Sequence, residues 1–262
     1  MSSVDFTIPL FVPANRPERL EKAAASGADA IIIDLEDAVP VDAKQNARSA
    51  LRAGFTDLPV LVRINGEGTP WHADDVAAAA RLPIAGIIMP KAELGGALAD
   101  FAANSHVPVL ALVETGRGLS QAREIANLPG MVRIIFGSVD FCADLGCAHT
   151  REALLAARSE LVLASRLAGL SAPVDGVTTS IDDTDLIASD ARYGLELGFG
   201  GKLAIHPRQI AAIRTGFSPQ ISEIRWAEKV LASGDGAANV DGAMVDEPVR
   251  IRARSILART RQ

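Results

Sequence analysis

Short runs of apolar, mostly β-branched residues recur along the chain, and each is followed by a longer stretch with Ala, Leu and Arg at helical spacing. A strand followed by a helix, repeated many times, is the pattern of βα units that build a parallel sheet. Eight such units predict an α/β protein with a closed (β/α)8 barrel, that is, a TIM barrel. The predicted strands are TIPLFV (7–12), AIIID (30–34), PVLVRI (59–64), AGIIMP (85–90), VPVLALVE (107–114), VRIIFG (132–137), PVDGV (173–177) and KLAIH (202–206).

The pattern changes after Phe217. The sequence predicts an amphipathic helix near 220–232, a Gly-rich link, SGDGAANVDGAM, and an Arg-rich helix from about 248 to 259. A short helical pair has little core of its own. We therefore predict a catalytic barrel domain over residues 1–218 and a C-terminal helical extension over residues 219–262, which packs on a neighbouring subunit or on the barrel.

Composition narrows the class of protein. A net charge of −6 argues against a general nucleic-acid or membrane binder, which needs a basic surface. No apolar run approaches the ~20 residues that span a bilayer, and no basic segment precedes the first apolar stretch. Cys142 and Cys147 are too few for a disulfide framework or a zinc site. We expect a cytoplasmic protein with free thiols and no nucleic-acid or membrane partner.

Charged and polar residues stand at the ends of the predicted strands. In a TIM barrel the active site lies at the carboxyl ends of the strands, so these residues are the first candidates for chemistry. A packed barrel needs no ring of charges, and crowded carboxylates repel each other unless a cation or a charged ligand compensates them. The residues at or just after strands two to eight are Asp34, Glu36, Asp37, Arg63, Lys91, Glu114, Asp140, Asp175 and His206.

Glu114 and Asp140 form the best pair of metal ligands. They end neighbouring strands, which lie ~4.8 Å apart in a sheet, so both carboxylates can hold one ion. Two oxygen ligands favour magnesium and leave coordination positions for a chelating keto-acid. The alternative, in which both acids cap helices or pair with arginines, remains open.

Arg63 offers a fixed positive fork for a substrate carboxylate or a developing oxyanion. It can also form an ion pair with Glu36 or Asp37, and both roles can hold together. We assign a supporting role to Asp34, Glu36 and Asp37. Arg16, just before a helix predicted at Pro17, forms a candidate anion site, and a surface salt bridge with Glu18 is the alternative.

Three further signals have structural interpretations that we favour, and a fourth offers a second enzymatic mechanism. The glycines of GFGGK, before strand eight, fit the end of a helix better than a phosphate loop. The acids of DDTD (182–185) fit helix capping, and His206 fits a structural role before Pro207. Lys91 as a Schiff-base lysine would need an apolar pocket and a lowered pKa, and we rank it below the metal mechanism.

Seven segments in order resemble the HpcH/HpaI aldolase/citrate lyase superfamily, and within it the citrate lyase beta subunit-like branch. The segments are LFVPANRPERLEKA, IIIDLEDAV, VRIN, MPKAE, ALVETGRGL, FGSVDFCADLG and GFGGKLAIHPRQI, followed by SPQISEIRWAEKVL and DGAMVDEP. The resemblance covers almost the whole chain. It implies a (β/α)8 barrel, usually trimeric, that uses Mg2+ to cleave or form a carbon–carbon bond in small β-hydroxyacyl-CoA thioesters.

Carried over by position, the resemblance implies metal ligands at Glu114 and Asp140 and a keto-acid-binding arginine at Arg63. It also implies that Asp246, in MVDEP, enters the active site of an adjacent subunit as an acid/base, whereas the sequence alone favours a helix cap there. The substrates implied are citryl-CoA, citramalyl-CoA or malyl-CoA, cleaved to a keto-acid (oxaloacetate, pyruvate or glyoxylate) and an acyl-CoA.

A metal-bound water or a rim carboxylate could accept the hydroxyl proton, and the sequence does not decide between them. Two functional alternatives also remain open. One is an aldolase that acts on free hydroxy-keto acids. The other is a subunit that works only within a citrate lyase complex, beside the alpha and acyl-carrier subunits. The expected stand-alone assembly is a homotrimer or hexamer.

Overall fold

The computed structural model describes residues 4–260, and the chain divides into two compact units between Gly216 and Phe217. The first unit contains eight parallel strands that pair in chain order. Hydrogen bonds from Phe11 N to Ala204 O (2.9 Å) and from Ala204 N to Pro9 O (2.9 Å) join the last strand to the first. The predicted TIM barrel is therefore confirmed. Its strands are β1 (Pro9–Pro13), β2 (Ala30–Asp34), β3 (Val60–Arg63), β4 (Gly86–Met89), β5 (Val109–Val113), β6 (Met131–Phe136), β7 (Val174–Asp175) and β8 (Gly201–Lys202).

Helices connect the strands, and several begin at polar residues that cap them. Thr115, Thr150 and Asp183 each accept a hydrogen bond from a backbone N–H in the first turn of the following helix. Short 3-10 turns at Pro17–Arg19, Val41–Ala43 and Pro207–Gln209 introduce three of the helices. The helices are α1 (Leu20–Ala24), α2 (Lys44–Ser49), α3 (His72–Ala79), α4 (Gly96–Asn104), α5 (Gly116–Ser120), α6 (Ala122–Ala126), α7 (Ser138–Leu145), α8 (Arg151–Leu167), α9 (Thr184–Leu197) and α10 (Ile210–Phe217).

The strands have a buried residue at nearly every position, as expected when helices cover the outside of a parallel barrel. One core cluster combines residues from several strands, including Ile32, Leu61, Ile88, Leu110 and Ile135. Neighbouring positions on the same strands face the helices. At ~25 cal/mol per Å2, burial of these aliphatic side chains is the main stabilising term for the barrel.

Strands β7 and β8 contain two residues each, whereas the sequence predicted strands over 173–177 and 202–206. The chain continues alongside its neighbours without a regular ladder, because Leu203 N bonds to Asp175 O (3.0 Å) and Ala204 bonds to β1. Leu203 and Ala204 bond to different neighbouring strands, so neither pairing extends into a regular ladder, although the segment still lies in the barrel wall. The helix predicted at Pro17 begins as a 3-10 turn, and α1 starts at Leu20.

The second unit contains α11 (Ile221–Ala232) and α12 (Glu247–Arg259), whose bounds nearly match those of the two predicted helices. The Gly-rich link between them forms a hairpin of β9 (Ala238–Val240) and β10 (Ala243–Val245), which was not predicted from the sequence. Asp241 and Gly242 have φ of 51° and 84°, the left-handed pair that a two-residue hairpin turn requires. The Asp-Gly pair was the sequence signal for this turn.

Two smaller predictions also have an outcome. Across residues 4–260, no helix combines the length and the apolar character needed to cross a bilayer. Cys142 and Cys147 are both free thiols, as predicted.

Candidate active site

A cavity of about 380 Å3 opens at the carboxyl ends of the barrel strands. This is the end at which TIM barrels carry their active sites. Its floor is apolar, with side chains that include Phe11, Leu112, Phe136, Val177 and Leu203. Its polar wall contains five residues that the sequence placed at the rim, Asp34, Asp37, Arg63, Glu114 and Asp140.

Arg63 ends β3 and is held by three carboxylates. Its Nε and Nη2 donate to the two oxygens of Asp34, each at 2.7 Å, and Nη1 lies 3.0 Å from Glu36 Oε2 and 3.3 Å from Asp37 Oδ2. Its guanidinium also stacks over the Phe11 ring at 4.9 Å. Burial disfavours the charge, but the hydrogen bonds and charges of the carboxylates outweigh it and raise the pKa of Arg63. The arginine is therefore a fixed cation.

Asp34 explains why a strand as apolar as β2 ends in acids. Its side chain is 1% exposed and accepts hydrogen bonds from Arg63 and from the backbone N–H groups of Glu36 (2.9 Å) and Ala38 (3.1 Å). It thereby shapes the turn that carries Glu36 and Asp37. The supporting role predicted for Asp34 fits this geometry.

Glu36 bridges the two cations of the rim. One of its oxygens contacts Arg63, and Oε1 accepts from Lys91 Nζ at 2.6 Å. Burial raises the pKa of Glu36 despite these cations. Burial opposes the charge of Lys91 as well, but the hydrogen bond to Glu36 and the charges of Glu36 and Glu114 raise the pKa of Lys91. A firmly protonated lysine is a poor imine-forming nucleophile, so the Schiff-base alternative is disfavoured.

Glu114, directly after β5, is a buried carboxylate with too little compensation. Its side chain is 1% exposed, and burial, followed by the charge of Glu36, raises the pKa of Glu114 to about 8. Oε1 accepts the backbone N–H of Lys91 at 2.7 Å, whereas Oε2 has no hydrogen-bond partner among the described residues. A Cβ at Gly137 would lie 2.6 Å from Oε2, so only glycine leaves room for this carboxylate.

Asp140 lies in the first turn of α7 rather than at the end of β6 itself. Asp140 is exposed and lines the cavity, and its negative charge contributes to the raised pKa of Glu114. The two carboxylates are therefore electrostatic neighbours. Within residues 4–260 no group of three or more Asp, Glu, His or Cys side chains could hold a metal ion. A cation here would need ligands from outside the protein, as the two-ligand prediction requires.

The donor set fits a hard divalent cation. Both groups supply carboxylate oxygens, which Mg2+ prefers, and one of these oxygens is buried without a hydrogen-bond partner in the described part of the chain. A bound cation would offset the charge that burial now disfavours. The predicted pair of metal ligands is thus brought together by the fold, and its function remains a prediction.

Two predicted site residues lie elsewhere. Arg16 pairs with Glu18, its Nε 2.7 Å from Oε1, and both side chains are about half exposed or more. Its role in binding a substrate anion stays a prediction. Asp246 belongs to the second unit and caps α12, because its Oδ1 accepts from Val249 N at 3.4 Å. This contact is the capping alternative, and the catalytic role predicted for Asp246 is not tested by it.

The structural interpretations of the weaker signals agree with the geometry. Asp183 caps α9, and Gly198 ends that helix with φ of 106°. His206 accepts the backbone N–H of Arg208 at 3.2 Å. Asp175, expected at the rim, instead pairs with the buried cations Arg158 (2.9 Å) and Lys202 (3.5 Å).

Sequence reasoning missed a polar pair beside the metal-ligand candidates. Ser138, on the cavity wall, has its Oγ 2.9 Å from His149 Nε2. His149 has no ligand spacing in the sequence, and only the loop after α7 brings it to Ser138. The position of Ser138, two residues before Asp140, was the available signal.

Comparisons with known proteins agree with this site. Residues 7–207 match the HpcH/HpaI aldolase/citrate lyase family. A citrate lyase subunit beta-like protein of Deinococcus radiodurans is 37% identical, with 95% of each chain covered. A (3S)-malyl-CoA thioesterase of Cereibacter sphaeroides is also 37% identical, with 95% of this chain and 93% of the relative covered.

A solved structure shares the fold along nearly the whole length. It is the crystal structure of CitE from Mycobacterium tuberculosis in complex with magnesium, acetoacetate and coenzyme A, with a TM-score of 0.89 and 36% identity. The match covers 99% of this chain and 100% of that chain. The predicted family is confirmed: this chain is a member of the HpcH/HpaI aldolase/citrate lyase family.

Proposed function

We propose that this chain is a Mg2+-dependent carbon–carbon lyase that cleaves, or forms, a small β-hydroxyacyl-CoA thioester. Citryl-CoA, citramalyl-CoA and malyl-CoA are the candidate substrates, and a keto-acid and an acyl-CoA are the products. One observation carries the proposal: a buried oxygen of Glu114, without a hydrogen-bond partner among the described residues, belongs to the same cavity lining as Asp140 and Arg63. The predicted lyase class and magnesium cofactor are confirmed at the level of the family, through relatives named for citrate lyase and a CitE structure with magnesium.

Glu114 and Asp140 would hold the magnesium ion. When bound, the ion would supply Lewis-acid polarisation of the keto-acid portion of the substrate. Burial of Glu114 then favours the loaded site, because its ionised carboxylate gains the compensation that the protein alone does not give.

Arg63 binds the keto-acid carboxylate or the oxygen that develops charge. Asp34 holds two nitrogens of the guanidinium. The group is therefore already oriented and need not reorganise as charge develops in the transition state. Glu36 and Asp37 hold Nη1 from the other side. These acids position the arginine, and the apolar floor of the cavity excludes water from the reacting atoms.

Two finer parts of the proposal concern the roles of Asp246 and Arg16. We infer that Asp246 protonates the acyl-CoA enolate in the cavity of an adjacent subunit, within a homotrimer or hexamer, with the extension over 219–262 packed on that subunit. Its position beside the N-terminal end of α12 supports this, because a helix cap holds the carboxylate in a defined direction. Arg16 binds an anionic part of the thioester.

A second candidate function is hydrolysis of the thioester, supported by the relative named (3S)-malyl-CoA thioesterase. A third is a subunit of a citrate lyase complex with alpha and acyl-carrier partners, supported by the relative named citrate lyase subunit beta-like protein. The free thiols support a reducing setting such as the cytoplasm.

A panel of the three thioesters, assayed with and without Mg2+, tests these candidates. A lyase releases a keto-acid, detected with a coupled dehydrogenase, and keeps the thioester bond. A thioesterase releases free CoA thiol, detected with a thiol reagent. Activity on none of the three, restored only with an acyl-carrier partner, would favour the complex subunit over a stand-alone enzyme.

A further inference from the structure

The proposed cleavage needs a base for the substrate hydroxyl, and the carboxylates of the rim are engaged. Asp34 accepts hydrogen bonds from two nitrogens of Arg63, and Glu36 is held between Arg63 and Lys91. The oxygens of both carboxylates are therefore engaged by cations of the protein. Glu114 and Asp140 are assigned to the metal ion. A base from another part of the cavity wall would leave these contacts intact.

Ser138 and His149 supply a linked pair at that wall. Ser138 begins α7, is buried and lines the cavity, and its Oγ lies 2.9 Å from His149 Nε2. His149 lies in the loop between α7 and α8, and a large part of its surface is exposed to solvent. The pair thus connects the cavity to bulk water.

The charges around His149 favour its neutral form. Loss of hydration around the ring, then the positive charges of Arg158 on α8 and Lys202 on β8, lower the pKa of His149. Asp190 on α9 and Asp175 on β7 oppose this effect but do not reverse it. A neutral imidazole can accept the Ser138 proton at Nε2, which leaves the lone pairs of Oγ available as acceptors.

Gly176, directly after β7, makes room for this pair. A Cβ at position 176 would collide with both Oγ and Cβ of Ser138, so a side chain there would displace the hydroxyl. The hydroxyl is therefore fixed by His149 on one side and by a backbone approach on the other.

We propose that Ser138 and His149 are the proton relay of this site, an inference that rests on the proposed lyase function. The substrate O–H proton passes to Ser138 Oγ while the Ser138 proton passes to His149 Nε2. The O–H electron pair forms the carbonyl of the keto-acid, the carbon–carbon bond breaks, and its electron pair forms the enolate of the acyl-CoA portion. His149 then releases its proton to water. In the synthetic direction the same steps run in reverse.

The first test compares S138A, H149Q and the double variant with the wild type in the presence of Mg2+ and the cleaved thioester. Loss of a proton relay lowers kcat by about 100-fold or more, while KM and Mg2+ affinity stay unchanged. The double variant is no slower than the worse single variant, because the two groups act as one unit. H106Q is the matched control, since His106 is an exposed histidine that precedes β5 at the opposite end of the barrel.

Two further measurements separate a relay from a structural role. The imidazole pKa of His149, assigned by NMR through the signal missing in H149Q, lies below that of ordinary histidine and matches the acidic limb of the kcat profile. Free imidazole restores part of the activity of H149A, because position 149 opens to solvent. A purely structural histidine would give neither result.

Three outcomes overturn the inference in distinguishable ways. A wild-type chain that cleaves none of the thioesters overturns the proposed function and, with it, the relay. A wild-type chain that cleaves one, with H149Q equal to it at every pH, overturns the relay alone. An acyl group found on Ser138 by mass spectrometry during turnover assigns the serine to nucleophilic hydrolysis instead.

Discussion

The two sides of the cavity differ in how their charges are compensated. On the β2–β3 side, Arg63 is surrounded by Asp34, Glu36 and Asp37, and its main contacts are 2.7 Å long. On the β5–β6 side, Glu114 is equally buried, but one oxygen has no partner among the described residues and its neighbour Asp140 is another acid. The first side is complete within the protein, whereas the second becomes complete when a cation binds. The comparison separates a side whose charges are balanced by protein groups from a side that needs a cation.

The largest effect is expected on the incomplete side. E114Q or D140N removes a charged ligand, and we expect lyase activity to fall about 1,000-fold or more because several kcal/mol of cation-dependent stabilisation is lost. Mg2+ affinity, measured by calorimetry, should fall in parallel. D144N is the control on the same helix, because Asp144 accepts the Gly116 N–H and an asparagine keeps that acceptor. Activity retained in E114Q would contradict the metal assignment.

On the complete side, R63K should damage both activity and stability. A lysine cannot form the bidentate contact with Asp34, so we expect kcat/KM to fall about 100-fold and the free energy of unfolding to fall by about 2–3 kcal/mol. Urea unfolding measures the second quantity. R123K is the control, because Arg123 makes a similar bidentate contact with Glu160 (2.6 and 2.9 Å) on the surface. An exposed pair changes stability by less than about 1 kcal/mol, and equal losses in both variants would refute the distinction.

The space around Glu114 gives a smaller and more selective effect. G137A places a Cβ 2.5 Å from the Glu114 Cβ, so the carboxylate must shift, and we expect Mg2+ affinity to weaken about 10-fold. G54A is the matched control, since a Cβ at that position meets no atom within 4 Å. Unchanged affinity in G137A would mean that Glu114 does not need its present position to bind the ion.

The pH dependence of stability should report the same site. Glu114 has an ordinary pKa of 4.5 and a folded-state pKa raised to about 8, so the folded chain holds a proton that the unfolded chain has lost between these values. Without Mg2+, the contribution of Glu114 to the free energy of unfolding is therefore fully present below pH 4.5. It falls by about 1–2 kcal/mol, after relaxation of the site, as the pH rises towards 8. Mg2+ or E114Q should flatten this slope, and a slope that survives E114Q arises elsewhere.

Much of the fold was predictable, because β-branched runs and helix signals depend on local sequence. Strands such as β2 and β5 were found for this reason, and the short β7 and β8 were overestimated because their chain pairs alternately with two neighbours. The hairpin around Asp241 and Gly242 was missed although its turn signal was present.

The site was predictable as far as the strand ends fix it. Arg63 and Glu114 follow from the rule that barrel strands point their carboxyl ends to one face. The contact between Ser138 and His149 was not predictable, because it depends on the path of the loop after α7. Nor does the sequence show that Glu36 connects Arg63 to Lys91, since that depends on side-chain directions across three strands.

Lys91 has a backbone φ of 49°, a left-handed conformation that disfavours any residue with a Cβ. In this conformation its amide reaches Glu114 and its ammonium reaches Glu36. A glycine would adopt the turn with less strain but would remove the ammonium that contacts Glu36 and that favours the ionised form of Glu114. The turn after β4 therefore places an amide against Glu114 and an ammonium against Glu36, so both acidic side chains have a partner within the protein before an ion binds.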